Sequence, residues 1–223
     1  MKRIKLQDRP LPKYTLSEEL VNAISHGIGA LLGIAVLLLC IKRSVYCQST
    51  PALIGSIIYG VCMITLYTIS TVYHALVPGT AKKVMQILDH CSIYLLISGT
   101  YTPILLTAFI PHFPIVGWGL LGLQWGVAIF AIVLNAIDLK RFRLFSYTAY
   151  IVMGWSLIFF IPYATALIHH RGLFYILLGG IRYTVGAILY GIGSKRPWFH
   201  SVFHILVLAG SFLQFWAIYH YII

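Results

Sequence analysis

The stretch His200-Ser201-Val202-Phe203-His204 opens the last long apolar run of the chain, which extends to about residue 221. A run of roughly 20 residues with no Asp, Glu, Lys or Arg is what an α-helix needs to cross the hydrocarbon core of a bilayer. Read as a helix, it puts the two histidines on one face, one turn or about 6 Å of rise apart. Imidazole is a common zinc ligand, and the pair needs a third partner. Two other stretches offer one: Ser70-Thr71-Val72-Tyr73-His74 at the end of the second apolar run, and Asp89-His90 early in the third.

Composition sets the class of protein to which this run belongs. Of 223 residues, 60% are hydrophobic and 9% charged, against about 25% charged in a soluble domain. This is the profile of an integral membrane protein. The net charge of +11 would suggest nucleic acid in a soluble chain; in a membrane chain it reports topology, and no nucleic-acid partner is expected. Residues 1–17 form a polar cytoplasmic arm carrying Lys2, Arg3, Lys5, Arg9 and Lys13 with two prolines, and residues 18–223 form one seven-helix transmembrane domain. The first apolar run is too long for the core of a secretory signal. Its start is marked by Thr15-Leu16-Ser17-Glu18, a capping-box pattern in which hydroxyl and carboxylate satisfy free amides of the first turn.

Charged and proline-containing breaks separate the runs, predicting helices from the first turn to about residue 42, then at about 52–77, 83–110 and 115–136, a fifth to about 167, a sixth after Gly172, and a seventh at about 198–221. Pro103 and Pro162 are expected to kink their helices. Cytoplasmic loops collect Lys and Arg. With the amino terminus inside, the inner segments hold five basic residues in the arm, two after helix 2, three after helix 4 and two before helix 7, twelve in all, against Lys42, Arg43 and Arg171 outside. The expected topology is amino terminus cytoplasmic, carboxyl terminus outside.

That orientation gathers the polar residues. The start of helix 1, the end of helix 2 and the starts of helices 3 and 7 share one depth, and they carry Glu19, Asn22 and His26; Ser70 and His74; Asp89 and His90; and His200 and His204. Ionisable groups within a span are costly and mark interior or functional positions. Spacings of i, i+3, i+4 and i+7 put the sets of helices 1, 2 and 7 on one inward face each. Such residues also serve as interhelical hydrogen-bond glue, the better reading for any single histidine. For His74, His200 and His204 together, metal binding is the better one. His90, turned about 100° from Asp89, is read as a packing residue, and His112, His169, His170 and His220 as interfacial groups at the outer ends.

The motifs Glu19-x-x-Asn22-x-x-Ser25-His26-Gly27, Ser70-x-x-x-His74, Asp89-His90-x-x-Ile93-Tyr94 continuing to Gly99-Thr100-Tyr101-Thr102-Pro103, and His200-x-x-x-His204 closely resemble the signatures of the bacterial hemolysin III proteins. These belong with the progestin and adiponectin receptor family and, more distantly, the alkaline ceramidases. The resemblance covers nearly the whole chain, with four motifs in order. It implies a seven-helix fold with the amino terminus in the cytoplasm, a Zn2+ ion held by His74, His200 and His204, and Asp89 contacting a zinc-bound water. The short arm looks like the bacterial branch, whose place is the inner (plasma) membrane.

Zinc on three protein nitrogens keeps an open position, as catalytic sites do, and lowers the pKa of a bound water to about 7. Asp89 is then the candidate general base and Ser70 a candidate donor to the water or an oxyanion. Glu19, Asn22 and His26 are read as supports of the metal ligands or as a brace between helices 1 and 7. A substrate would arrive from the inner leaflet, so a membrane lipid with an amide or ester bond is expected. Alternatives from other classes are a receptor or membrane-composition sensor with a structural zinc, and a pore-forming hemolysin, although no helix carries a full-length polar stripe.

Other signals are thin. Cys40, Cys47, Cys62 and Cys91 form no C-x-x-C pair; Cys40 and Cys47, both near the outer face, are a weak candidate disulfide. Gly29-x-x-x-Gly33 predicts close intramolecular helix packing. Arg182 falls inside helix 6 with no carboxylate at its depth; bonding to carbonyls or tyrosine hydroxyls, snorkelling and contact with an anionic ligand group are the alternatives, and it is assigned a structural role. There is no phosphate-binding loop, nucleophile elbow or internal repeat.

Overall fold

A computed structural model describes residues 6–193 and 196–223; Lys2, Arg3, Lys5 and Lys195 of the charge count lie outside the described residues. Among those described, seven helices are long and apolar enough to cross a membrane, and there is no strand. They are α1 (Leu16–Tyr46), α2 (Thr50–Ala75), α3 (Thr80–Phe109), α4 (Pro114–Asp138), α5 (Arg143–Leu167), α6 (His170–Gly193) and α7 (Phe199–Tyr221). The chain is a multi-pass all-α membrane protein. Successive helices pack as neighbours around a ring that α1 and α7 close, and α3 is the most enclosed of the seven.

The start of α1 is built as its pattern requires. Thr15 Oγ1 accepts the Glu18 N–H at 3.3 Å, and the Glu18 carboxylate accepts the Thr15 N–H at 2.9 Å. The other Glu18 oxygen accepts the backbone N–H of Trp198 at 2.7 Å. Trp198 sits just before α7 at φ 68°, a left-handed conformation uncommon for a bulky residue. The hydrogen bond holds that turn in place and seats the first turn of α7 against α1.

Close approach of α1 and α2 follows from the small residues. A Cβ on Gly29 would land inside the Tyr67 ring, and one on Gly33 would come within 3.1 Å of the Ile64 backbone. Van der Waals contact of this kind is what holds helices together where lipid is as apolar as the side chains. The Gly29/Gly33 stripe is therefore an intramolecular seam.

Two helices depart from regularity. After Pro103, α3 widens into a π-helical turn over Leu105–Phe109, a usual accommodation of a ring that cannot donate to the ladder. In α5 the break is not at Pro162. The helix stops at Gly154, continues as a 3₁₀ segment over Ser156–Phe160 and resumes at Ile161–Leu167, with Pro162 harmless in the first turn of the last piece. The freed backbone groups are met by side chains. Tyr101 Oη donates to the Gly154 carbonyl at 2.9 Å and accepts the Leu157 N–H at 3.1 Å, while Gln124 Nε2 donates to the Met153 carbonyl at 3.0 Å. Broken helices survive in a membrane where protein groups replace the lost bonds.

All four cysteines are free. The Cys40–Cys47 pairing is corrected by geometry: seven residues apart along one helix, they are separated by about 10 Å of rise, beyond the reach of a disulfide. Arg182 is exposed on the outer surface of α6, where snorkelling suits it.

Replacing Gly29 by Leu should destabilise the bundle by about 1–3 kcal/mol, the range for overpacking, because the ring of Tyr67 has no space to yield. Thermal unfolding in detergent should show a lowered midpoint, whereas the same change at Gly119, which faces open space, should leave it unmoved.

Candidate metal centre

The ends that share one depth converge. His200 Nε2 lies 3.2 Å from His74 Nε2 and 3.0 Å from His204 Nε2, and one nitrogen from each ring falls within 4.8 Å of the others. Tetrahedral zinc with Zn–N near 2.05 Å would separate its ligand nitrogens by about 3.3 Å. Among the described residues this is the one cluster able to hold a metal ion, and its spacing suits one ion.

His74 is oriented by a carboxylate. Its Nδ1 stands 2.6 Å from Glu19 Oε2, and Glu19 Oε1 accepts from Lys82 Nζ at 2.7 Å. An ionised carboxylate only accepts, so Nδ1 carries the proton and Nε2 presents a lone pair to the centre. This is the carboxylate–histidine arrangement found behind metal-bound imidazoles. Lys82 also donates to the Leu76 carbonyl at 2.8 Å and lies over the Tyr73 ring. Although the charge count treats it as a loop cation, it is buried, 3% exposed, pairing α3 to α1.

The other two rings are placed by stacking. Tyr14, in the arm, lies parallel to His200 with centroids 4.8 Å apart, and His26 stacks on His204 at 3.7 Å. His200 Nδ1 has no hydrogen-bond partner among the described residues. Burial pushes the Tyr14 phenol above its usual pKa, and the charges of Tyr73, Glu19 and Asp89 act in the same direction. Tyr14 is therefore a neutral cover over the histidines.

The supporting trio divides differently from a brace between α1 and α7. Glu19 faces His74 on α2, and the Asn22 amide lies 3.5 Å from the same His74 nitrogen. His26 reaches α7 by stacking on His204, and Glu18 with Trp198 adds a further α1–α7 brace. Ser70 and Asp89 stand outside the cluster of three, in the wall of the cavity that adjoins it. His90 lines the same cavity, while its carbonyl accepts from Tyr150 Oη at 2.7 Å. The four remaining histidines are exposed at the opposite end of the bundle.

The sequence motifs do not single out Tyr14 and Lys82. Lys82 does carry a signal, since it precedes Asp89 by seven residues and so shares its helix face. Tyr14 sits one place before the cap, a position from which apolar side chains fold back onto the helix.

The cavity runs from Tyr14 and His200 past Asp89 to Gln214 and Trp155, with a volume of about 270 Å3 and a lining mostly of aromatic and aliphatic side chains. His200 and Gln214 stand fourteen residues apart along α7, about 21 Å of rise. Its far part passes the break in α5, where Gly154 and Trp155 form the wall.

The model of the family described as Haemolysin-III related matches residues 14–215. The chain belongs to that family. It is 38% identical over 208 residues to the Hemolysin-3 of Bacillus cereus, covering 93% of each chain, and 39% identical over 208 residues to the Hemolysin-3 homolog of Bacillus subtilis (strain 168), covering 93% of this chain and 96% of that one. More distantly, the Adiponectin receptor protein of Drosophila melanogaster is 28% identical over 233 residues, 92% of this chain and 51% of that one, which fits the progestin and adiponectin receptor family. No solved structure matches.

If the three imidazoles share an ion, metal analysis of the detergent-purified haemolysin-III-type protein should find one per chain, lost in His204→Ala. Glu19→Gln should keep the site but weaken it by about 10–100-fold, read as faster loss of metal to a competing chelator.

Proposed function

We propose that the chain is a zinc-dependent hydrolase of a lipid amide or ester, ceramidase-like in its reaction, resident in a bacterial inner membrane with its amino terminus in the cytoplasm. The observation that carries the reading is the junction of three convergent imidazole nitrogens with an apolar cavity whose lining extends along α7 from His200 to Gln214. Zn2+ at such a centre supplies Lewis-acid polarisation and a water acidified to a pKa of about 7.

The chain's own residues divide the remaining work. His74, His200 and His204 hold the metal, and Glu19 keeps His74 in the ligating tautomer. Asp89, in the cavity wall, takes a proton from the attacking water and returns it to the leaving nitrogen or oxygen, so that one water and one lipid give a fatty acid and an amine or alcohol. Ser70, one turn before His74, donates to the oxyanion that develops at the carbonyl. Tyr14 covers His200, and the aromatic wall excludes bulk water from the bond that breaks.

Fatty-acid release from a short-chain ceramide by the zinc-loaded protein should fall by about 10²-fold or more in Asp89→Ala while bound zinc is unchanged. Turnover that survives this substitution would sink the assignment. With no turnover in the wild type and zinc needed only for folding, the receptor or composition-sensor reading takes its place. Dye leakage from liposomes that persists in His204→Ala would favour a pore, the reading to which the relatives' names point.

Orientation has its own test. Cys47 is exposed at the end of α1, whereas Cys40, Cys62 and Cys91 are buried. With the amino terminus inside, a membrane-impermeant maleimide should label wild-type protein on intact cells and fail to label Cys47→Ser; labelling that requires permeabilised membranes would reverse the topology.

A further inference from the structure

Beside the arm lies a second chamber that the proposed reaction does not use. Its volume is about 370 Å3, and its charged lining is Arg9 and Lys13 from the arm, Lys140 from the α4–α5 turn, Arg143 at the start of α5, and Asp138 at the end of α4. The two cavities share a wall: Tyr14, His90, Tyr190 and His200 line both. The polar chamber and the apolar one therefore meet at the histidine centre.

The charge in this chamber is lopsided. Asp138 is already engaged, its Oδ1 accepting the backbone N–H groups of Lys140 and Arg141, each at 3.1 Å. Arg9 Nη2 donates to the Ile137 carbonyl at 3.0 Å, which ties the arm across the end of α4. Lys13, Lys140 and Arg143 are exposed and able to turn onto a ligand. Topology asks only for positive charge on this side of the membrane. It does not require cations from two sequence-distant segments to surround one concavity whose wall includes Tyr14 and His200. Cations so gathered repel each other until an anion enters, and guanidinium groups fit phosphate oxygens in pairs.

We propose that this chamber binds a phosphate-bearing anion, with the headgroup of an anionic lipid as the fitting source because the cavity that shares its wall is apolar. The lipid source rests on the reading of that cavity as a lipid site; the anion site does not. The ligand would lie across the shared wall, phosphate among Lys13, Lys140 and Arg143, with its apolar part running past the histidines.

The test is equilibrium binding to full-length wild-type protein in neutral detergent, with an ether-linked alkylglycerol phosphate, the matching neutral alkylglycerol, and inorganic phosphate as probes. None contains an ester or amide, so failure of the hydrolase reading leaves the measurement intact. The phosphorylated lipid should bind about tenfold or more tightly than the neutral one at 0.1 M salt, as charge-assisted hydrogen bonds imply. Lys140→Gln/Arg143→Gln should abolish that preference while neutral-lipid binding, which reports an intact fold, stays unchanged. Lys42→Gln/Arg171→Gln, at the opposite end, should preserve it. Saturable binding of inorganic phosphate that the first double variant removes, with no gain from the alkyl chain, would support the anion site with free phosphate as its source. Equal affinity for charged and neutral lipids without saturable phosphate binding, or a preference that survives Lys140→Gln/Arg143→Gln, overturns the proposal.

Discussion

The hydrogen bond between Glu19 and His74, with Lys82 on the carboxylate's other oxygen, is the constraint on which the centre depends. A carboxylate in this position is costly unless paired, and the pair joins α1, α2 and α3 at one depth. The backbones of α2 and α7 do not pack directly, since α1 lies between them. His74 meets His200 only because its ring is turned across the bundle and held there. The same bond chooses the tautomer, leaving Nε2 bare toward the other imidazoles.

Space beside that centre comes from a second constraint, the interrupted α5. A regular helix through Gly154 and Trp155 would satisfy its own backbone and press continuously against its neighbours. Here Tyr101 and Gln124 take over the broken bonds, and Trp155 turns toward α6, its Nε1 donating to Thr184 Oγ1 at 2.8 Å. Thr102 accepts from Trp125 at 3.1 Å, and Pro103 lies against Gly55. The Gly99–Pro103 motif is thus a stitching segment, holding α3 to α2, α4 and α5 around the cavity.

Much of this is legible in the amino-acid sequence. Seven apolar runs, the capping box at Thr15, the i, i+4 histidines and the common depth of the polar ends all follow from periodicity and bilayer thickness, which act on short stretches of chain. The facing of Glu19 toward α2, the burial of Lys82, the cover formed by Tyr14 and the break at Gly154 do not. These depend on how each helix is rotated about its axis, and that rotation is set by contacts such as Gly29 on Tyr67 and Gly99 on Cys62. A single sequence shows that such a helix has a small-residue face without showing which neighbour fills it. Lys82 misleads for a related reason: a lysine one turn into a helix looks like a loop charge until its partner, 63 residues away, is known.

Charge balance brings these elements to one residue. Glu19 is neutralised by Lys82; Glu18 is taken up by the Thr15 cap and the Trp198 amide; Asp138 is bound to turn amides; and Asp8 is exposed. Of the five carboxylates in the chain, Asp89 alone lines the histidine cavity without an ion pair among the described residues. Were a dication held among the three imidazoles, in surroundings of low dielectric, it would require nearby negative charge. Asp89, in the cavity wall, is the carboxylate placed to provide it, and acting from across the cavity, rather than as a ligand, it would keep its lone pairs available for a proton.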